Sequence, residues 1–178
     1  VPVVASVQAP TDGTYIIGQN LDFTVNFSEN VVVDTTTGVP RIAVTLDTGG
    51  TVYADYVSGS GGSVLVFRLT VANGQLDANG VTLGSSLQLN NGSIRDTAGN
   101  AIEVTLNSVA STANVNVDGV VPAVVSVTTP LDGNYKAGDV LTFTVNASEA
   151  LQTGSLPPRL VLDVGGVTRY ATYVSGSG

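Results

Sequence analysis

Chemistry in this chain has to be done by oxygen. Its 178 residues include no His, Cys, Met or Trp, which removes Ser-His-Asp and Cys-His nucleophilic systems and every thiolate or imidazole metal site. What remains are carboxylates and amides at turns: Glu29 after Phe27-Ser28, Asp77 and Asn79 in Asp-Ala-Asn-Gly, Asp96 and Asn100 at the two ends of Asp-Thr-Ala-Gly-Asn, Asp118 before Gly119, and Glu149 after Ala147-Ser148. These residue types suit a hard cation, which takes six to eight oxygens from carboxylates, amides and carbonyls. They also have a plainer use, because Asp and Asn side chains accept hydrogen bonds from nearby backbone N–H groups and so hold turns. Asp96 with Asn100, and Asp77 with Asn79, admit both roles. Asp12 and Asp132, each before Gly in a Pro-x-Asp-Gly loop, read as turn formers.

Other chemistries find little to work with. The run Ser58-Gly59-Ser60-Gly61-Gly62 lacks the pattern of a nucleophile elbow and any histidine base. Glycoside hydrolysis needs only two acids about 5 to 9.5 Å apart, but no pair is singled out by its surroundings. Tyr15, Tyr53, Tyr56, Tyr135, Tyr170 and Tyr173 could stack on a sugar, though without Trp they fit core or edge positions better. Arg41 and Arg159, each after a Pro, are expected to pair with a local carboxylate or to cover apolar surface. A net charge of -8 with only six Lys and Arg offers no basic stripe for phosphates, so no nucleic-acid partner is expected. No apolar run approaches the roughly 18 residues of a membrane span, and no basic and apolar leader opens the chain; no membrane insertion is expected. The expectation is a non-enzyme.

The elements that carry these turns are strands. Charged residues are 11% and hydrophobic residues 43%, a balance that argues against disorder. Leu21, Phe23, Val25 and Phe27 alternate with polar residues, as do Ile42, Val44 and Leu46, and Leu65, Phe67, Leu69 and Val71; period two is the mark of a half-buried strand. Further strands are expected at 3–7, 52–57, 81–89, 102–106 and 114–117, with Gly- and Asn-rich turns between them. About seven short strands at this spacing predict an all-β, antiparallel sandwich of immunoglobulin-like type. Its connections alternate between two ends. The loop after Glu29, the turn at 58–62 and the Asp96–Asn100 turn share one end; the Asp12 loop, the 47–50 turn, the Asp77–Asn79 loop and Asp118 share the other.

The chain also repeats itself. At an offset of 120, about 17 of the first 29 positions match, from Val1-Pro2 against Val121-Pro122 to Ser28-Glu29 against Ser148-Glu149. Chance does not produce this. The match resumes with Pro40-Arg41 against Pro158-Arg159 and ends with Tyr-Val-Ser-Gly-Ser-Gly at 56–61 and 173–178. The expected organisation is a complete repeat over 1–120 and the N-terminal half of a second, truncated copy over 121–178, in a chain that reads as an excised piece of something longer. A half repeat lacks the strands that cover its core, so pairing with another chain is an expected possibility.

The ordered set Phe-Ser-Glu at 27–29, Asp-Thr-Ala-Gly-Asn at 96–100 and Val-Asp-Gly-Val-Val-Pro at 117–122, with the long 10–27 segment, resembles the bacterial immunoglobulin-like tandem repeats of large secreted and cell-surface adhesins of RTX and biofilm-associated type. The resemblance covers essentially the whole chain. It implies an extracellular or surface-held stalk repeat whose partners are neighbouring repeats of the same chain, and calcium as the cofactor that stiffens domain ends and junctions. Glu29, Asp96 and Asn100 then form the set at one end, and Asp77, Asn79, Asp118 and Glu149 the set at the junction. The alternative from another class is a glycan- or protein-binding module of the same fold.

Overall fold

The structure is a computed structural model that describes residues 1–177, so Gly178, the last residue of the repeated Tyr-Val-Ser-Gly-Ser-Gly, lies outside it. Among the described residues there are strands, turns and no helix. Contacts divide the chain into two units, Val1–Val120 and Val121–Gly178.

In the first unit the strands are β1 (Val4–Gln8), β2 (Gly13–Ile16), β3 (Asn20–Phe27), β4 (Val31–Asp34), β5 (Arg41–Thr45), β6 (Thr51–Ser58), β7 (Val64–Thr70), β8 (Leu76–Asp77), β9 (Thr82–Gln88), β10 (Ser93–Asp96) and β11 (Val115–Asp118). An antiparallel sheet in the order β1-β3-β7-β6-β5-β9 curls into a half-barrel, and the small sheets β10-β4 and β2-β11-β8 complete a sandwich-like all-β fold. The alternation read from sequence sets the packing. Leu21, Phe23 and Val25 of β3 and Leu65, Phe67 and Leu69 of β7 all turn inward and are buried, with Phe23 directly opposite Phe67. Side chains that face each other across a strand pair are the unit of sheet stability. On the outer face of the same pair Asp22 meets Arg68 through two hydrogen bonds of 2.7 Å.

One expected strand is corrected. Residues 102–106 form no regular strand, although Ile102 and Leu106 are buried. On one side this run bonds antiparallel to β9, through Leu87 N to Val104 O and Leu106 N to Ser85 O; on the other it meets the start of β1 in parallel, with Glu103 N donating to Pro2 O. Only isolated bridges form on either side. Four short strands, β2, β4, β8 and β10, were not expected, and β2 pairs with β11 in parallel.

The second unit contains β12 (Val124–Thr128), β13 (Thr144–Ala147), β14 (Arg159–Val164) and β15 (Val167–Thr172), in two hairpin-like sheets, β12-β13 and β14-β15. Their registers match those of the first unit residue for residue. Val124, Ser126, Val127 and Thr128 face Ala147, Asn146, Val145 and Thr144, with the same bulge that interrupts Val4 and Ser6 on β1. Arg159 faces Thr172 and Leu160 faces Ala171, as Arg41 faces Asp55 and Ile42 faces Ala54. Side-chain details recur too. Asn26 donates to Ser6 Oγ and Asn146 to Ser126 Oγ, while Arg41 lies 3.7 Å over the Tyr53 ring and Arg159 4.0 Å over Tyr170.

Candidate functional site

The first acidic set gathers where β3 ends and β10 turns back. Asp96 stands opposite Val31, two residues beyond Glu29. The Asp96 carboxylate is buried and already serves the turn that follows it: Oδ1 accepts from Ala98 N at 2.9 Å and Asn100 N at 2.7 Å, and Oδ2 accepts from Asn100 Nδ2 at 2.7 Å. The Asn100 side-chain bond, followed by these backbone N–H groups, outweighs burial and holds the carboxyl below the usual carboxylate range; the Val1 ammonium adds to the effect. That ammonium also lies 3.8 Å from Glu29 Oε1. Because Asn100 points its nitrogen at Asp96, its carbonyl oxygen is left over for another partner. Asp34, Arg95, Asp96 and Gly99 line a shallow depression here of about 380 Å³.

At the opposite end the structure rearranges the expected set. Asp77 is 3% exposed, and its Oδ1 accepts from Asn79 N at 3.3 Å. Asn79 turns its amide away to Asp47, donating to both carboxylate oxygens at 3.0 and 2.9 Å, and Ala78 N joins them at 3.2 Å. Asp118 does not meet Asp77. Asp77 faces the buried Val117 across the β8–β11 pair, whereas Asp118 faces Leu76, and neighbouring residues of a strand point to opposite faces. The Asp118 carboxylate instead accepts from Val120 N at 3.2 Å. Asp47, missed from sequence because it looked like one more residue of the 47–50 turn, is the group that joins Asn79. Glu149 belongs to the second unit, where it is half-buried and its Oε1 has no hydrogen-bond partner among the described residues.

Among the described residues no three carboxylates converge in the manner of a ready cation cage. A cation at the Glu29 end would therefore draw on at most two carboxylates, the Asn100 oxygen, backbone carbonyls and water. Comparison with family models, characterised proteins and solved structures found no match.

The remaining candidates have structural occupations. Ser60 Oγ accepts from Val33 N, and Ser60 N donates to the Tyr56 hydroxyl oxygen, both at 2.9 Å, which ties the Ser-Gly turn to β4 and β6. Arg41 covers the Tyr53 face that a sugar would need, and the Tyr15 hydroxyl is bound to Thr11. Asp12 accepts from Asn114 at 3.1 Å.

Acid should expose the turn carboxylates. Asp96, and Asp22 through its bonds from Arg68, have native values depressed below the ordinary 3.8. A group depressed on folding contributes stability that is fully present above its unfolded value and is lost as pH falls through the lower native one. Urea midpoints measured downward from pH 5 should hold until about pH 4 and then fall. The decline should be shallower in Asp96→Asn, which no longer titrates at that position; an equal slope in both proteins would show that the Asp96 turn bonds carry no linkage.

Proposed function

We propose that this chain is a stalk segment of a large bacterial surface adhesin, built of immunoglobulin-like repeats in tandem, with calcium bound at the repeat ends. The observation that carries the reading is the residue-for-residue identity of register between the two units, bulge and Arg-on-Tyr stack included. Repetition down to these details favours a module used for length over one with a unique binding groove. The strand order adds support. Lettering β1, β3, β7 and β6 as A, B, E and D, and β5 and β9 as C and F, gives the A-B-E-D and C-F neighbours of an immunoglobulin-like sandwich, while β6 also pairs with β5 and β11 pairs with β2 and β8 in place of β9.

Calcium fits the donor chemistry of the Glu29 end, which is oxygen throughout. There Glu29 and the Asn100 oxygen would hold the ion, with Asp96 keeping the turn in shape. Extracellular calcium modules bind with dissociation constants of about 0.1 to 1 mM. Tenfold excess over such a constant adds roughly 1.4 kcal/mol of stability by linkage. A calcium titration by calorimetry, paired with thermal melts in calcium and in chelator, tests this. The melting temperature should rise with calcium, and Glu29→Ala combined with Asp96→Ala should abolish the rise; the melt of that variant in chelator gives the separate cost of losing the turn bonds. A calcium increment that survives the double substitution would remove the Glu29 end as the site.

A further inference from the structure

A row of charge crosses the outer face of the six-stranded sheet in the first unit. The registers place Asp22 of β3 beside Arg68 of β7, Arg68 beside Asp55 of β6, and Asp55 beside Arg41 of β5. Neighbouring strands lie about 4.8 Å apart, so four charges of alternating sign follow one another over about 14 Å. All four side chains point outward, because the next residues along their strands, Phe23, Phe67, Ala54 and Ile42, are buried.

The row is not closed within its own chain. Arg68 turns to Asp22 and donates to it from Nε and Nη2. Arg41 donates from Nε to Gln88 and lies over the Tyr53 ring. Asp55 is exposed and flanked by both guanidiniums, yet among the described residues its carboxylate has no hydrogen bond and no ion pair. Nor does the strand register require the row. In the second unit Thr142 and Thr172 stand at the positions of Asp22 and Asp55, while the pairing of the strands and the stack of Arg159 on Tyr170 recur.

We infer that this face docks on the same face of a second copy of the chain, about a twofold axis that runs parallel to the strands between β7 and β6. From β3 to β5 the charges are minus, plus, minus, plus. Rotation about such an axis reverses their order, so every charge meets its opposite: Asp22 of each copy meets Arg41 of the other, and Asp55 meets Arg68. The unpaired Asp55 carboxylate then receives the side of Arg68 that Asp22 leaves free. An axis along the row would instead set each charge on its own like. The apolar residues agree with the first choice. Val57 and Val66 lie on the same face, two residues along β6 and β7 from Asp55 and Arg68, and Val57 is 46% exposed. The same axis lays Val57 of each copy on Val66 of the other.

Sheets packed face to face keep their strands within about 30° of each other, and this axis leaves both copies directed alike, an arrangement open to stalks that rise from one surface. Complementary charge supplies orientation more than affinity, so the expected pair is weak, in the class that buries less than about 1,200 Å². The inference goes beyond the stalk reading and requires neither that reading nor calcium.

Sedimentation equilibrium of the whole chain at about 1 mM and 0.15 M salt tests it. The net charge of -8 repels at a distance, but at this salt the screening length is about 8 Å and charges in contact dominate. The native chain should show a monomer and dimer in equilibrium. Arg68→Asp and Asp55→Arg should each weaken the dimer by about tenfold or more, because each sets two like-charged pairs across the axis. Mixed one to one, the two variants regain all four opposite pairs and should associate with each other about as tightly as the native chain does with itself. A chain carrying both substitutions reads minus, minus, plus, plus, which is again its own complement, and should also dimerise. Thermal melts of all three should stay close to the native one, since both positions are exposed. Net repulsion alone predicts the reverse for Asp55→Arg, which lowers the net charge. A native chain that stays monomeric would overturn the inference. So would a dimer that either single substitution leaves intact, or one that neither the mixture nor the double variant restores.

Discussion

Phe67→Ala is expected to lower the unfolding free energy of the first unit by about 3 to 5 kcal/mol, the usual cost of emptying a filled aromatic site in a core. The position leaves little room for relief. Phe67 is fully buried on the central strand β7, opposite Phe23, and its ring meets Tyr56 edge-on with centroids 6.0 Å apart. Collapse into the vacated volume would have to draw β3 and β6 together, yet β7 backbone holds them apart. Urea unfolding followed by circular dichroism gives the measurement, and Phe67→Leu, which keeps most of the volume, should cost markedly less. A loss below about 1 kcal/mol for the alanine variant would mean that β7 is not the middle of the sheet.

Gly59→Ala is expected to cost about 3 kcal/mol, from two additive causes that a neighbouring glycine separates. Gly59 has φ of +108°, a conformation that costs a non-glycine residue about 1 to 3 kcal/mol. In addition, a β-carbon there would lie 2.0 Å from the Val64 carbonyl oxygen, so the turn would have to move off β7. Gly61, at φ of +92°, has open space in the same direction. Gly61→Ala should therefore show only the backbone cost, about 1 kcal/mol. Thermal melts of the two variants side by side decide the matter: equal losses would mean that the close approach to Val64 carries no weight.

The long strands were legible because each has a period-two stripe of its own. Leu21 to Phe27 and Leu65 to Val71 state their inner and outer faces without reference to the rest of the chain. β8, with only Leu76 and Asp77, has no such stripe, and β4 and β10 are strands only because they pair with each other. Residues 102–106 look like a strand from inside the segment; that only isolated bridges form to its neighbours is something no local pattern encodes.

The candidate site divides the same way. That Asp96 and Asn100 close one turn could be read from their spacing, since the bonds span four residues. That Asn79 would turn to Asp47, 32 residues earlier, could not. Nor could the separation of Asp77 from Asp118, which rests on the β8–β11 register, where a slip of one residue exchanges the faces. Strand pairing, not residue type, decides which of these carboxylates can share a partner.

The parallel pairing near the ends of the first unit has a mechanical meaning. β2 lies alongside β11 over four residue pairs, and Val3 and Val7 bridge in parallel to Glu103 and Val109. Tension entering at Val1 and leaving at Val120 pulls the two members of each such pair in opposite directions along their length. The bonds between them are loaded together, in shear, and must yield nearly at once instead of opening one after another like a zip.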